Sequence, residues 1–117
     1  MVAADLDPLA ALAAAGNAAS NGVTIEVRGD DLIGLPVDAE VVLAGYVFYD
    51  RDLAARALAW PRSLDALVLI GDPSRGFLDV SALERVATYR AGPDGDLSGV
   101  TARETPVYRI SSARRVR

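Results

Sequence analysis

VLAGYVFYD, residues 42–50, is the stretch on which the reading of this chain turns. Its first half is an uninterrupted apolar run, the pattern of a strand buried on both faces of a sheet. Its second half carries Tyr46, Tyr49 and Asp50. In an open α/β sheet, ligands and chemistry gather beyond the carboxyl ends of the strands. An apolar strand that turns polar at its end therefore points to a working edge.

The segments on either side repeat that form. Residues 2–5 read as a short strand, after which Asp7 caps a helix whose first residue is Pro8. Leu9, Leu12, Ala13 and Gly16 fall on one helical face, and Asn21-Gly22 supplies a left-handed stop. VTIEV, 23–27, reads as a second strand, and a third starts near Ala39. Asp50 to Trp60 reads as a helix ended or kinked by Pro61. LDALVLIGDP, 64–73, holds a further strand with no polar alternation. Ser81-Ala82-Leu83-Glu84 fits a capping box and predicts a helix with Leu83, Val86 and Ala87 on one side. GPDGDLSG, 92–99, reads as a turn-rich loop. A last strand, about Thr101 to Ile110, places Pro106 at a strand start or on an unpaired side. The resulting order, β-α-β-β-α-β-α-β, predicts an α/β fold with an open, mostly parallel sheet. Its strand-end acids, Asp5, Asp30, Asp31, Asp50 and Asp72, are expected to converge on one crevice.

Composition narrows the chemistry. The 117 residues suit one domain, and 51% hydrophobic content argues against disorder. Net charge is −4, and all 12 basic residues are arginines. Only Arg114, Arg115 and Arg117 cluster, in a basic tail at 112–117 that reads as a solvated terminus rather than a nucleic-acid grip. Without Cys there is no disulfide and no thiol nucleophile; without His, Ser-His chemistry and the usual zinc ligation fall away. Without Lys there is no Schiff base. The remaining carboxylates, tyrosines, arginines and hydroxyls suit positioning a small molecule. No apolar run approaches the roughly 20 residues of a membrane span, and the N-terminus lacks a signal-peptide pattern, so a cytoplasmic protein without membrane partners is expected.

Each candidate residue has a bland reading and a functional one. Asp5 caps local backbone or accepts the two hydroxyls of a ribose; Asp7 reads as a helix cap. Asp30 and Asp31 are loop acids, or one of them accepts an adenine amine while Leu32 covers the ring. No third oxygen ligand is spaced to complete a magnesium site beside them. In Gly71-Asp72-Pro73-Ser74-Arg75-Gly76, a tight turn with an internal Asp72–Arg75 pair is the first reading, and a substrate mouth the second.

Five segments in register carry a resemblance. AADLDPLAALAAAGNAASNGV (3–23), GDDL (29–32), VVLAGYVFYD (41–50), LVLIGDPSRGFL (67–78) and TPVYRI (105–110) resemble, in order, a class I S-adenosylmethionine-dependent methyltransferase. The similarity is closest to the electron-transfer flavoprotein β-subunit lysine methyltransferase and nicotinamide N-methylase-like group, over residues 2–111. It implies a Rossmann-like sheet in strand order 3-2-1-4-5-7-6 with an antiparallel C-terminal strand. It also implies S-adenosylmethionine as cofactor and a protein or small-molecule nitrogen as methyl acceptor. Asp5, with Leu6 beside it, matches the ribose-binding acid, and Asp31 or Asp30, with Leu32, the adenine contact. Tyr49 matches an expected aromatic at the substrate mouth. Tyr46 stands where the family pattern carries an acid.

The resemblance lacks the family's first strand and Gly-rich loop, so the fold is expected to be N-terminally incomplete. Two half-sheets with unpaired edges should remain, poorly stable unless a homo-oligomer or a missing N-terminal segment completes them. Two functions follow: a methyltransferase domain, truncated and impaired as this chain, or a non-catalytic pseudo-methyltransferase that serves as scaffold or partner subunit. A phospho-receiver domain fits the size and the strand-end acids, but the lysine it requires is missing.

Overall fold

The fold is described from a computed structural model, over residues 1–45, 50–72, 77–91 and 103–110. It divides into two compact units, Met1–Leu35 and Pro36–Arg117.

In the first unit, β1 (Val2–Ala4) and β2 (Glu26–Arg28) pair in parallel, with Ala4 opposite Arg28. Between them runs α1 (Pro8–Ser20). Asp7 caps it, its carboxylate accepting from the Leu9 N–H at 2.9 Å, and Pro8 occupies the first turn, where its missing N–H costs nothing. At the far end Gly22 adopts φ +64°, and Val23 N–H donates to the Ala18 carbonyl at 3.0 Å. This is the left-handed stop expected at Asn21-Gly22. Of 23–27, however, only Glu26 and Val27 pair, and the strand runs on to Arg28.

The inward side of α1 is also not the expected one. Ala10, Ala11 and Ala14 are half-buried and Ala18 is buried, whereas Leu9 is 74% and Leu12 71% exposed. Alanines at that spacing form the stripe that lets the helix lie close against β1 and β2, and the leucines face away.

The second unit is a four-stranded mixed sheet in the order β3-β4-β6-β5. β3 (Val41–Gly45) and β4 (Leu67–Gly71) are parallel. β6 (Arg103–Ile110) runs antiparallel to both β4 and β5 (Glu84–Ala91). After β3, Asp50 caps α2 (Arg51–Ala59), accepting from Leu53 N–H at 2.9 Å, and a 3-10 turn at Trp60–Ser63 contains Pro61. Register places Val42, Ala44, Val68, Ile70, Tyr108 and Ile110 on one face. Val68, Ile70 and Ile110 of that face are buried, as are Ala54, Ala57, Leu64 and Ala66. Complete burial of Val68 and Ile70 contributes about 2 kcal/mol each.

Three expectations are corrected here. The capping box at 81–84 does not open a helix. The Ser81 hydroxyl donates to Asp79 at 2.7 Å at the start of a 3-10 turn, Val80–Ala82, that Leu83 N–H closes onto the Val80 carbonyl, and the Glu84 carboxylate is taken by Arg109 across the ladder. With both halves of the box engaged elsewhere, Val86, Thr88 and Tyr89 follow their β propensity. The sheet is therefore less parallel than expected: β1–β2 and β3–β4 are parallel pairs, β4–β6 and β6–β5 antiparallel. Pro106 lies inside a central strand rather than at its start. Its carbonyl accepts from Asp72 N–H at 3.1 Å, just past the last β4–β6 pair, so its missing N–H forfeits a bond only where that ladder ends.

The two sheets are separate among the described residues. Within each sheet the strand neighbours are those the resemblance implies. The loop at 92–99 and the tail at 112–117 lie outside the described residues.

Ile70→Ala should lower unfolding free energy by roughly 2–5 kcal/mol. Leu9→Ala should change it by less than about 1 kcal/mol, its side chain being exposed. Urea denaturation followed by circular dichroism checks both; equal losses would contradict the placement of the core.

Candidate functional site

The parallel pairing of β1 and β2 brings the carboxyl ends of these strands to one edge. Asp5 follows β1 directly, and its N–H donates to the Arg28 carbonyl at 3.1 Å, which fixes the edge. Asp5 Oδ1 accepts from Asp7 N–H at 2.9 Å in a local turn leading into α1. Leu6 beside it is 60% exposed. Asp30 and Asp31 leave the same edge two and three residues after Arg28. Asp5 and Leu6 thus follow β1, and Asp30, Asp31 and Leu32 follow β2, from the carboxyl-end edge of the pair.

The neighbouring acids are held differently. Arg28 donates from Nε to Asp30 Oδ1 at 3.0 Å and from its terminal nitrogen to Oδ2. This forked contact holds the Asp30 carboxyl below the usual carboxylate range, first through the hydrogen bond and, more weakly, through the opposite charge. The same partner raises Arg28 above its ordinary value. Asp31 is half-buried, and its Oδ1 accepts from Ile33 N–H at 3.0 Å. Leu32 is half-buried and opens a turn closed by Leu35 N–H to the Leu32 carbonyl, with Gly34 at φ +96° in the position that needs positive φ.

In the second unit Asp72 directly follows β4, and Asp50 and Arg51 open α2 in the chain after β3. Asp50 is spent as the α2 cap, as expected. Asp72 is 8% exposed, the one carboxylate buried among the described residues. Arg51 lies over the Phe77 ring at 5.4 Å from its centroid, a cation–π contact. Tyr46 and Tyr49, the candidate catalytic residues, and Arg75, the suggested partner of Asp72, lie outside the described residues. The strand-end acids are grouped within each unit, not shown as one crevice.

Sequence reasoning missed two features. Arg28 and Asp30 are two apart at a strand end, a spacing that puts side chains on one side and could have flagged the pair. Arg51 and Phe77 lie far apart in sequence, and no local signal links them. A shallow depression lined by Arg85, Val86, Ala87, Thr88 and Glu104 lies on the β5–β6 ladder. It is an open groove on antiparallel strands and carries no strand-end chemistry. No group of three or more metal-ligating side chains occurs among the described residues, and no described helix is long and apolar enough to cross a membrane.

The Arg28 contact has a titration consequence. A depressed folded-state value means the pair stabilises the fold above the ordinary carboxylate pKa near about 3.9 and loses that contribution as pH falls through the lowered value. Carbon-detected NMR should find Asp30 titrating below the ordinary carboxylate value, and Arg28→Gln should move it back toward that value. No movement would contradict the forked contact.

No family profile matches the sequence, and no curated protein does. Nine chains of known structure match. One is the Escherichia coli "Putative methyltransferase yhhF", similar over 95% of this chain with a TM-score of 0.59 and 11% sequence identity. The match covers 62% of that chain's length. At that identity the likeness is one of fold: this chain has a methyltransferase-like fold.

Proposed function

We propose that this chain is an S-adenosylmethionine-dependent methyltransferase domain that methylates a nitrogen, of the class that acts on protein lysine or small-molecule amines. The observation that carries the reading is the shared edge of β1 and β2 in a methyltransferase-like fold, which Asp5 leaves directly after β1 and Asp31 three residues after β2.

The residues present fit the cofactor's polar groups. Asp5 is exposed and engages one oxygen locally, so its other oxygen is available to ribose hydroxyls. Asp31, half-buried beside half-buried Leu32, fits an adenine amine with an apolar cover over the ring. Asp30 fits less well, because Arg28 engages both of its oxygens. Leu6 flanks the ribose side. Bound there, the cofactor supplies an electrophilic methyl group. The chain's own residues bind and orient it, and alignment with desolvation suffices for such a transfer. Tyr49 shapes the acceptor mouth in this reading. Tyr46, standing where the family pattern carries an acid, offers an acceptor amine a hydroxyl rather than a carboxylate in this reading.

A second reading, a non-catalytic scaffold or partner subunit, is favoured by one observation: the described strands form two separate sheets rather than one continuous sheet. Calorimetric titration with S-adenosylhomocysteine distinguishes the two. The methyltransferase reading expects saturable binding, weakened at least about tenfold by Asp5→Ala and by Asp5→Asn, which keeps the turn acceptor. It expects Asp30→Ala to change binding little. No saturable binding would overturn it in favour of the scaffold.

A further inference from the structure

The two outer strands of the second unit's sheet differ in a way that bears on association. β5 carries Glu84, Arg85 and Arg90 and a register irregularity between Arg85 and Ala87. Charges and bulges are the means by which an exposed edge resists pairing with another chain. β3, at the opposite edge, reads Val-Val-Leu-Ala-Gly, with no charge, no proline and no bulge.

The backbone pattern states which groups that edge offers. Leu67 N–H donates to the Glu40 carbonyl at 2.9 Å, so Glu40 faces β4. In a parallel ladder alternate residues bond to the same neighbour, so Val42 and Ala44 face β4 as well. Val41, Leu43 and Gly45 therefore direct their N–H and C=O groups outward, and no strand pairs with them among the described residues. Leu43 is 77% exposed, more than any other large apolar side chain described in this unit.

We propose that this edge pairs with the β3 edge of a second copy, antiparallel about a twofold axis through Leu43. The outward set is symmetric about Leu43, so a copy rotated by a half-turn sets Val41 against Gly45 and Leu43 against Leu43 of the partner copy. All three positions become hydrogen-bonded pairs, each exchanging two N–H···O=C bonds. The two Leu43 side chains then meet on one face and cover each other. Although the chain carries a net charge of −4, the contact strip has no charge, so no like charges oppose one another along it. A single five-residue strand per copy is a small interface, which sets the expected dissociation constant in the micromolar to millimolar range, roughly. The pairing uses groups independent of the proposed cofactor edge and stands or falls without it.

Two experiments on the full chain test it. Sedimentation velocity from about 1 µM to about 1 mM should show a reversible monomer–dimer equilibrium. Leu43→Lys should weaken it at least about tenfold, by setting two ammonium groups face to face. Leu43→Pro should weaken it too, because it removes an outward donor and leaves the β3–β4 bonds intact. Second, the chain has no cysteine, so Leu43→Cys introduces a single thiol. Cα atoms of a hydrogen-bonded antiparallel pair stand about 5.5 Å apart, within disulfide range. Mild oxidation should cross-link Leu43→Cys and leave Leu69→Cys, on the same face of β4, mostly monomeric. A monomer across the whole range would overturn the proposal, as would a dimer indifferent to both Leu43 variants. Equal cross-linking of the two cysteine variants, or a monomer whose β3 edge instead takes up an added strand peptide, would overturn it as well.

Discussion

β4 is the element on which the larger unit depends. Both of its edges are paired, to parallel β3 and to antiparallel β6, and Val68 and Ile70 are fully buried. Its apolar side chains thus serve burial while its backbone serves two ladders at once. That dual demand explains the uninterrupted run Leu67–Ile70, for a polar residue there would lack both water and a partner. β3 is likewise apolar but has only one paired edge among the described residues, and its Leu43 is exposed. One sequence pattern therefore has opposite consequences according to how many neighbours the strand has.

Strand ends carry the chemistry in this arrangement. Parallel strands deliver their carboxyl ends to the same edge, so acids that are remote in sequence, such as Asp5 and Asp31, both follow strands that end there. Local hydrogen bonds then give each acid its own task. Asp7 and Asp50 satisfy helix amides, Asp30 is matched to Arg28, and Asp5 and Asp31 each use one oxygen on a backbone N–H within two residues. Asp30 is the poorer candidate for an outside ligand, since a forked guanidinium must be displaced before it can serve one. The methyltransferase-like fold gives the same edge its proposed meaning as a cofactor site.

Much of this was legible from local chemistry. Pro8 after Asp7, Gly22 after Asn21 and the cap at Asp50 each satisfy a stereochemical need that no distant contact alters. The half-sheet strand orders were legible through the resemblance. What failed depended on distant partners. Ser81 and Glu84 have helix-capping spacing, yet Asp79 and Arg109 claim them, and Arg109 lies 25 residues from Glu84. Leu9 and Leu12 suggested a buried helical face, but the small sheet of the first unit takes the alanine stripe instead. Pro106 is tolerated in a central strand because β4 ends opposite it, which only the register reveals. The Arg51–Phe77 contact likewise joins segments with no shared local pattern.

The central claim is that the β1–β2 edge is the cofactor edge. Residue-resolved NMR titration with S-adenosylhomocysteine tests it most directly. Saturable shifts should concentrate at Asp5, Leu6, Asp31 and Leu32, with contacts from ribose protons to the Asp5 side and from adenine protons to Leu32. Saturable shifts centred instead on Arg85 to Thr88 of the β5–β6 groove, or none at all, would contradict it.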